Sequence, residues 1–365
     1  MMEEKLKRPL QWCICLLHMN ELSLRALVKS LDGEITGPKS FTGPLGKTHM
    51  QADTITIVKF DPIPSELLSV VPNELNTDQQ YLFRMYKAVS IRSVSESLAI
   101  RDPGNVCHSR WLTTANRFLR LYVSTETPSG NLKRIVQYIM TCYVPTWFFI
   151  KFHESIVHGS RNMYCLVKRC QALDEESKRI VRPVLQHNGY FAHSECLLLS
   201  MLVDHSKKLR MLAFRRIMKA RKSENSCAKR RYSVPEINFD AHSYADMISW
   251  DTEYINDDDS DEDPKFVTSY TEPPVLSDLS EENLKEIAEK GEVSDNLYYL
   301  PCHNQKVERA IKLVSQSSQK AREKIDREGI IQTVIASRAA LPSFETKKDF
   351  KVKWNLPNKK LREKK

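Results

Sequence analysis

Leucines at positions 22, 24, 27 and 31 recur with the spacing of one helical face, which predicts a helix over NELSLRALVKSL, residues 20–31. Just before it, the apolar run QWCICLL (11–17) predicts a short buried strand that feeds this helix. Residues 32–47 hold four glycines and two prolines and predict a loop. TITIVKF (54–60) alternates apolar with polar positions, the period of a strand with one buried face. DPIPSELL (61–68) reads as a turn and a helix start. NTDQQYLFRMYKAVS (76–90) reads as an amphipathic helix capped by Asn76 or Thr77.

From there to about 222 the pattern is helical. Leu132, Ile135, Val136, Ile139 and Met140 stand at helical spacing, and 193–222 makes one long helix or two, with Ser194 as a cap. The last part of that stretch is strongly basic: Arg215, Arg216, Lys219, Arg221 and Lys222. The character then changes. Residues 223–294 carry AKRRYS, the acidic run DDDSDED (257–263) and proline–serine pieces, a composition that buries little apolar surface. This predicts a low-complexity linker, disordered in part and holding short helical pieces. Residues 295–345 return to foldable sequence, and 346–365 form a basic tail. The chain thus divides into 1–75, 76–222, 223–294, 295–345 and 346–365.

Charge sharpens this picture. The net charge of +9 favours polyanionic partners, nucleic acid first among them. The start, MMEEKLKRPLQW, is charged, and the apolar stretch after it is too short for a secretory signal core. No run approaches the roughly 20 apolar residues of a membrane span. The nine cysteines lack regular spacing and read as reduced thiols of an intracellular protein, not as a disulfide framework. No G-x-S-x-G, P-loop or dinucleotide fingerprint occurs, so nucleophilic and nucleotide-dependent chemistry lack a signature.

Four features carry the candidate chemistry: Cys15 and His18 in WCICLLHMNEL, Ser109-Arg110-Trp111 opening a helical pattern, the acidic interruption, and Glu308-Arg309 in PCHNQKVERAIKLVS. Taken alone, each has an ordinary reading. Cys15 and His18 suit a core or a helix start, and Trp111 suits a core. Arg110 suits a cap, an ion pair or a phosphate contact, and Glu308 suits a surface charge paired with Arg309. A zinc site from Cys13, Cys15 and His18 with Cys302 and His303 fits no standard ligand spacing. The basic set Arg215, Arg216, Lys219, Arg221, Lys229, Arg230 and Arg231 suits a nuclear-entry signal, a phosphate-contacting patch or a solvated helix end.

In this order the features resemble the hAT superfamily of transposases. There a C-x-x-H motif precedes an apolar helix, a T-R-W opens a later helix, and an S-E-R motif near the end carries the last catalytic acid. Cys15-x-x-His18, Ser109-Arg110-Trp111 and Val307-Glu308-Arg309 are similar, with serine for threonine in the second and valine for serine in the third. The stretches CHSRWLTTANR and PCHNQKVER also resemble a group of transposon-derived proteins in which such stretches recur.

The resemblance implies an α/β, helix-rich fold: a partial RNase H-like core from 1–75 and 295–345, interrupted by a helical insertion over 76–222. It implies Mg²⁺ as the ancestral cofactor, with no group held tightly here. Glu308 would be one metal carboxylate, His18 would face the scissile phosphate, and Cys15 would pack behind it. The family's two catalytic aspartates precede the C-x-x-H motif, where this chain offers only Glu3 and Glu4. The expectation is therefore a truncated, nuclear, transposon-derived protein with weak, salt-dependent DNA binding and no catalysis of its own. A transposase completed by an upstream exon and a host-recruited protein-interaction module are the alternatives. Loss of the first strands of such a sheet would expose a strand edge, which calls for a partner protein, a homo-oligomer or a rebuilt edge. No membrane is implied.

Overall fold

The computed structural model describes residues 16–37, 40–52, 56–66, 68–105, 111–153, 155–222, 234–250, 276 and 279–291. All of them belong to the unit Met1–His303, the second unit being Asn304–Lys365. The described chain is helix-rich. Its main helices are α1 (Leu16–Asp32), α2 (Pro44–His49), α3 (Thr77–Ile91), α4 (Glu96–Ala99), α5 (Trp111–Val123) and α6 (Gly130–Tyr138). They continue with α7 (Val144–Phe152), α8 (Gly159–Cys170), α9 (Glu175–His187), α10 (Ser194–Leu202), α11 (Lys207–Lys222) and α12 (Glu281–Lys290). Among the described residues the strand content is one antiparallel hairpin, β1 (Ile35–Gly37) with β2 (Ser40–Phe41).

The central spine is α6 and α7, joined without a break by a wide turn over Ile139–Tyr143. Pro145 stands just after this turn and has no N–H to donate, so the helix ladder must widen there. Asn20 of α1, fully buried, donates its side-chain amide to the carbonyl of Tyr143 at 3.0 Å. The spine is amphipathic at its start, where Lys133 is exposed and Arg134 pairs with Glu176, and buried from Tyr138 to Phe148 except at Thr141. α1 packs against it and against α9, burying Leu16, Leu17, Leu24, Leu27 and Val28. Helix 16–32 therefore shares one core with the helices of 76–222.

Several expectations change. Residues 56–60 form no strand, because their amides have no strand beside them among the described residues; Val58 N–H donates instead to the carbonyl of Val123 at the end of α5. The helix start expected at 61–68 is absent over its described residues, where Pro62 and Pro64 push their predecessors out of the helical region. The glycine- and proline-rich stretch 32–47 is more than a loop. It holds the hairpin and the start of α2, whose N-terminal amides at Leu45 and Gly46 donate to the Asp32 carboxylate at 2.9 and 2.6 Å. The cap of α3 is Asn76, in a reciprocal box with Gln79. The cap of α10 is His193, not Ser194.

The expected linker is partly built into the body. Residues 234–250 form a strap across α8, α9, α10 and α11. Gln186 holds it twice, donating to the Pro235 carbonyl and accepting from the Ile237 amide. Tyr164 donates to the carbonyl of His242 at 2.6 Å. Tyr244 donates to Asp204 at 2.7 Å, and Arg161 pairs with the same carboxylate at 2.7 Å. Burial alone would raise the Asp204 carboxyl; these hydrogen bonds, the Ser206 amide and the Arg161 cation instead bring it below its ordinary value. The apolar side chains Ile237, Tyr244, Met247 and Ile248 are what burial of the strap contributes to the core.

Two predictions follow from this packing. Trp147→Ala should cost about 3–5 kcal/mol in chemical unfolding, while Ile100→Ala, 84% exposed, should stay within about 0.5 kcal/mol. His49 gives a pH signature. It is fully buried between Phe118 and Phe41, and burial, with the Arg117 cation adding to it, brings its pKa from 6.5 down to about 4. Between those values the unfolded chain binds the extra proton, so stability is lost as pH falls through that window, by about 3 kcal/mol in full. Urea unfolding across that range should show the loss, and His49→Phe should remove most of it.

Candidate nucleic-acid interface

α11 is built from residues that favour helix and from little else. KKLRMLAFRRIMKARK contains no glycine, proline, acid or small polar residue. Its start is organised by Asp204, which accepts from the Ser206 amide at 2.7 Å. Its last turn carries Lys219, Arg221 and Lys222, which complement the negative end of the helix dipole.

At 100° per residue the charges of α11 separate into two sets. Arg210, Ala213, Ile217 and Ala220 face inward and are buried. Lys208, Arg215, Lys219 and Lys222 lie on the opposite side, within a narrow stripe, and all are exposed. The stripe runs for about 21 Å along the helix at 1.5 Å per residue. None of these four forms an ion pair or a side-chain hydrogen bond with the described residues.

The inward and flanking arginines act as staples. Arg210 donates to the carbonyls of Asp204 (2.7 Å), His205 (2.9 Å), Ala288 (2.8 Å) and Glu289 (3.2 Å). It thereby satisfies the open carbonyl end of α12. Gly291, at φ 72°, ends α12 where a Cβ would stand 2.9 Å from the Arg210 guanidinium carbon, so only glycine suits both backbone and space. Arg221 donates to the carbonyls of Leu276 and Leu279 at 3.1 and 2.9 Å. Arg216 lies over the ring of Trp250, 3.8 Å from its centre, and reaches the sulfur of Met201.

The sequence-derived candidates therefore divide. Arg215 and Lys219 stand in the exposed stripe, whereas Arg216 and Arg221 hold Trp250 and the approach to α12. Lys208 and Lys222 complete the stripe; their signal was the spacing 208, 215, 219, 222, masked by the arginines between them. Lys229, Arg230 and Arg231 lie outside the described residues, as do Cys15, Arg110, Glu308 and Arg309. Trp111 packs edge-on to Phe41 at 6.1 Å between centroids.

His18 sits on the outer side of α1, half exposed, with its ring 3.9 Å from the Glu21 carboxylate. Magnesium requires several converging oxygen ligands. Among the described residues no group of three histidine, cysteine or acidic side chains converges. The cysteines Cys142, Cys165, Cys170 and Cys196 carry free thiols. No described helix is long and apolar enough to cross a membrane.

Comparison with protein-family models, with curated proteins and with solved structures found no match. The functional reading accordingly rests on these residues and their geometry.

The staple is testable. Arg210→Met leaves four carbonyls without their donor and should destabilise by about 2–4 kcal/mol. Gly291→Ala should cost about 1–2 kcal/mol. In both, hydrogen exchange of the amides in 281–290 should accelerate more than that of the spine 130–152.

Proposed function

We propose that this protein is transposon-derived, of the RNase H-like, hAT-like kind, and that it binds DNA weakly through the exposed face of α11. The observation that carries the DNA reading is the stripe of Lys208, Arg215, Lys219 and Lys222, free of internal partners among the described residues. An arrangement of this kind serves phosphate contact. Lysine and arginine neutralise backbone charge, and the gain comes from released counterions. α11 carries no asparagine, glutamine, serine or threonine, so the side chains that read adenine edges are missing from it. Binding by this face is sequence-tolerant.

Residence in the nucleus follows from this reading, with the basic run that continues through Lys229, Arg230 and Arg231 as the entry signal. The stretches that match the family's motifs supply one of its metal carboxylates, Glu308, and a single carboxylate does not hold two metal ions; the proposal is that these stretches do not cut or join DNA by themselves. Incubation with Mg²⁺ or Mn²⁺ and terminal-repeat DNA should leave the DNA intact.

Fluorescence anisotropy of a labelled duplex against salt tests the interface. Each phosphate contact adds about 0.9 to the slope of log K against log salt. Combined Lys208→Gln, Arg215→Gln, Lys219→Gln and Lys222→Gln should therefore flatten the slope by roughly 3–4, equally for unrelated DNA sequences. Arg216→Gln should act instead on the packing of Trp250. No binding at low salt, or an unchanged slope in the fourfold variant, overturns the assignment.

A further inference from the structure

The end of α7 and the turn after it bring two histidines together. His153 caps α7, and His158 closes the single tight turn Ile156–His158 that leads into α8. Their ring centres stand 5.1 Å apart, with the planes at 74°. Both side chains are partly open to solvent.

Each ring is placed by a different part of the chain. His153 stacks on Phe149, 4.3 Å between centres, and its Nδ1 lies 2.9 Å from the Phe149 carbonyl. A carbonyl only accepts, so Nδ1 carries the proton and the neutral ring keeps a lone pair on Nε2. Histidines that ligate metals are commonly oriented in this way, one nitrogen donating to a carbonyl and the other left available. His158 is positioned by Gly159, where a Cβ would collide with the Phe191 ring; the missing side chain lets the turn close against Phe191. His158 makes no capping bond to α8, and its ring nitrogens bond to no described residue.

We propose that His153 and His158 form a two-histidine site for a divalent transition-metal ion, zinc first, with water completing the coordination. The separation fits. Zinc binds a ring nitrogen at about 2.0–2.1 Å, which puts each ring centre about 3.2 Å from the ion and, at a tetrahedral angle, the two centres about 5.2 Å apart. Imidazole suits zinc, copper and nickel, whereas magnesium calls for oxygen, so this is not the site of the Mg²⁺ that the transposase resemblance implies. No third histidine, cysteine or acid converges among the described residues, which leaves the remaining positions to water. Besides His153, the cationic groups that face His158 are Arg161 and His205; Asp204, 2.7 Å from Arg161, offsets the first. Binding at this point ties the end of α7 to the start of α8, and it is independent of the DNA reading of α11.

The experiment uses the full chain, freed of metal by a chelator and titrated with zinc chloride in a calorimeter. The double variant His153→Gln/His158→Gln, each single variant, and His187→Gln, an exposed histidine of α9, are titrated beside it. The parent should take up one more equivalent of zinc than the double variant, since any zinc held by cysteines elsewhere is common to both. Each single variant should bind that equivalent about tenfold more weakly or worse, and His187→Gln should match the parent. Magnesium chloride should not fill the site. A second measurement needs no variant. With zinc at about ten times its Kd, diethyl pyrocarbonate should label both His153 and His158 about tenfold more slowly in the parent chain, read by mass spectrometry, and magnesium should protect neither.

Equal uptake by parent and double variant, or two unprotected rings, overturns the site and leaves an edge-to-face packing pair only. Protection of one histidine without the other also overturns it, in favour of a single ligand. Should the double variant fail to fold, the labelling of the parent decides alone.

Discussion

The arrangement of this molecule around its basic helix depends on one buried guanidinium. The guanidinium of Arg210 is almost fully removed from water. Burial of such a charge is tolerable only where other groups replace its hydration. Four backbone carbonyls do so here, two from the turn before α11 and two from the end of α12. The same contact satisfies carbonyls that a helix end leaves open, so the charge and the helix terminus each resolve the other's deficit. It also fixes which side of α11 is inside. With Arg210 turned inward, Lys208, Arg215, Lys219 and Lys222 can only face out.

The strap 234–250 reinforces this orientation from the other flank. Its fastening is mostly side chain to backbone: Gln186, Gln171 and Tyr164 each bond a strap carbonyl or amide. Trp250 then lies under Arg216 and removes that cation from the solvent-facing set. A helix that looks uniformly basic along its sequence is in this way divided into cations that hold structure and cations that face water. The division bears on the proposed DNA contact because long-range attraction to a polyanion sums all charges, but displacement of counterions at contact needs the exposed ones.

Much of the helical body was readable. The helix at 76–90 with its Asn76 cap, the α1 face of leucines, and the helical run to 222 all follow from period and capping chemistry, which are local. The misreadings share a cause. α2 starts in a stretch rich in glycine and proline because Asp32, thirteen positions earlier, accepts from its first amides, and no local pattern announces a cap from that distance. Residues 56–60 alternate as a strand does, yet a strand requires a neighbour to pair with, and Val58 N–H instead meets the carbonyl of Val123 at the end of α5. The acidic linker was expected to bury little by its average composition, and to be disordered in part with short helical pieces. Its pieces 234–250 and 279–291 nonetheless supply Ile237, Tyr244, Met247, Leu284 and Ala288 to the core.

By itself, then, the sequence determined much of the helical run from 76 to 222, that α11 is basic, and that an acidic block follows it, because propensity, period and charge are properties of neighbouring residues. Only the tertiary structure decided which arginines are internal. Arg210, Arg216 and Arg221 do not differ in kind from Arg215; they differ in having Ala288, Trp250 and Leu276 brought up against them from far along the chain. A cation's role is set by what lies within hydrogen-bonding or stacking distance, and for these residues those partners come from 34 to 78 positions away.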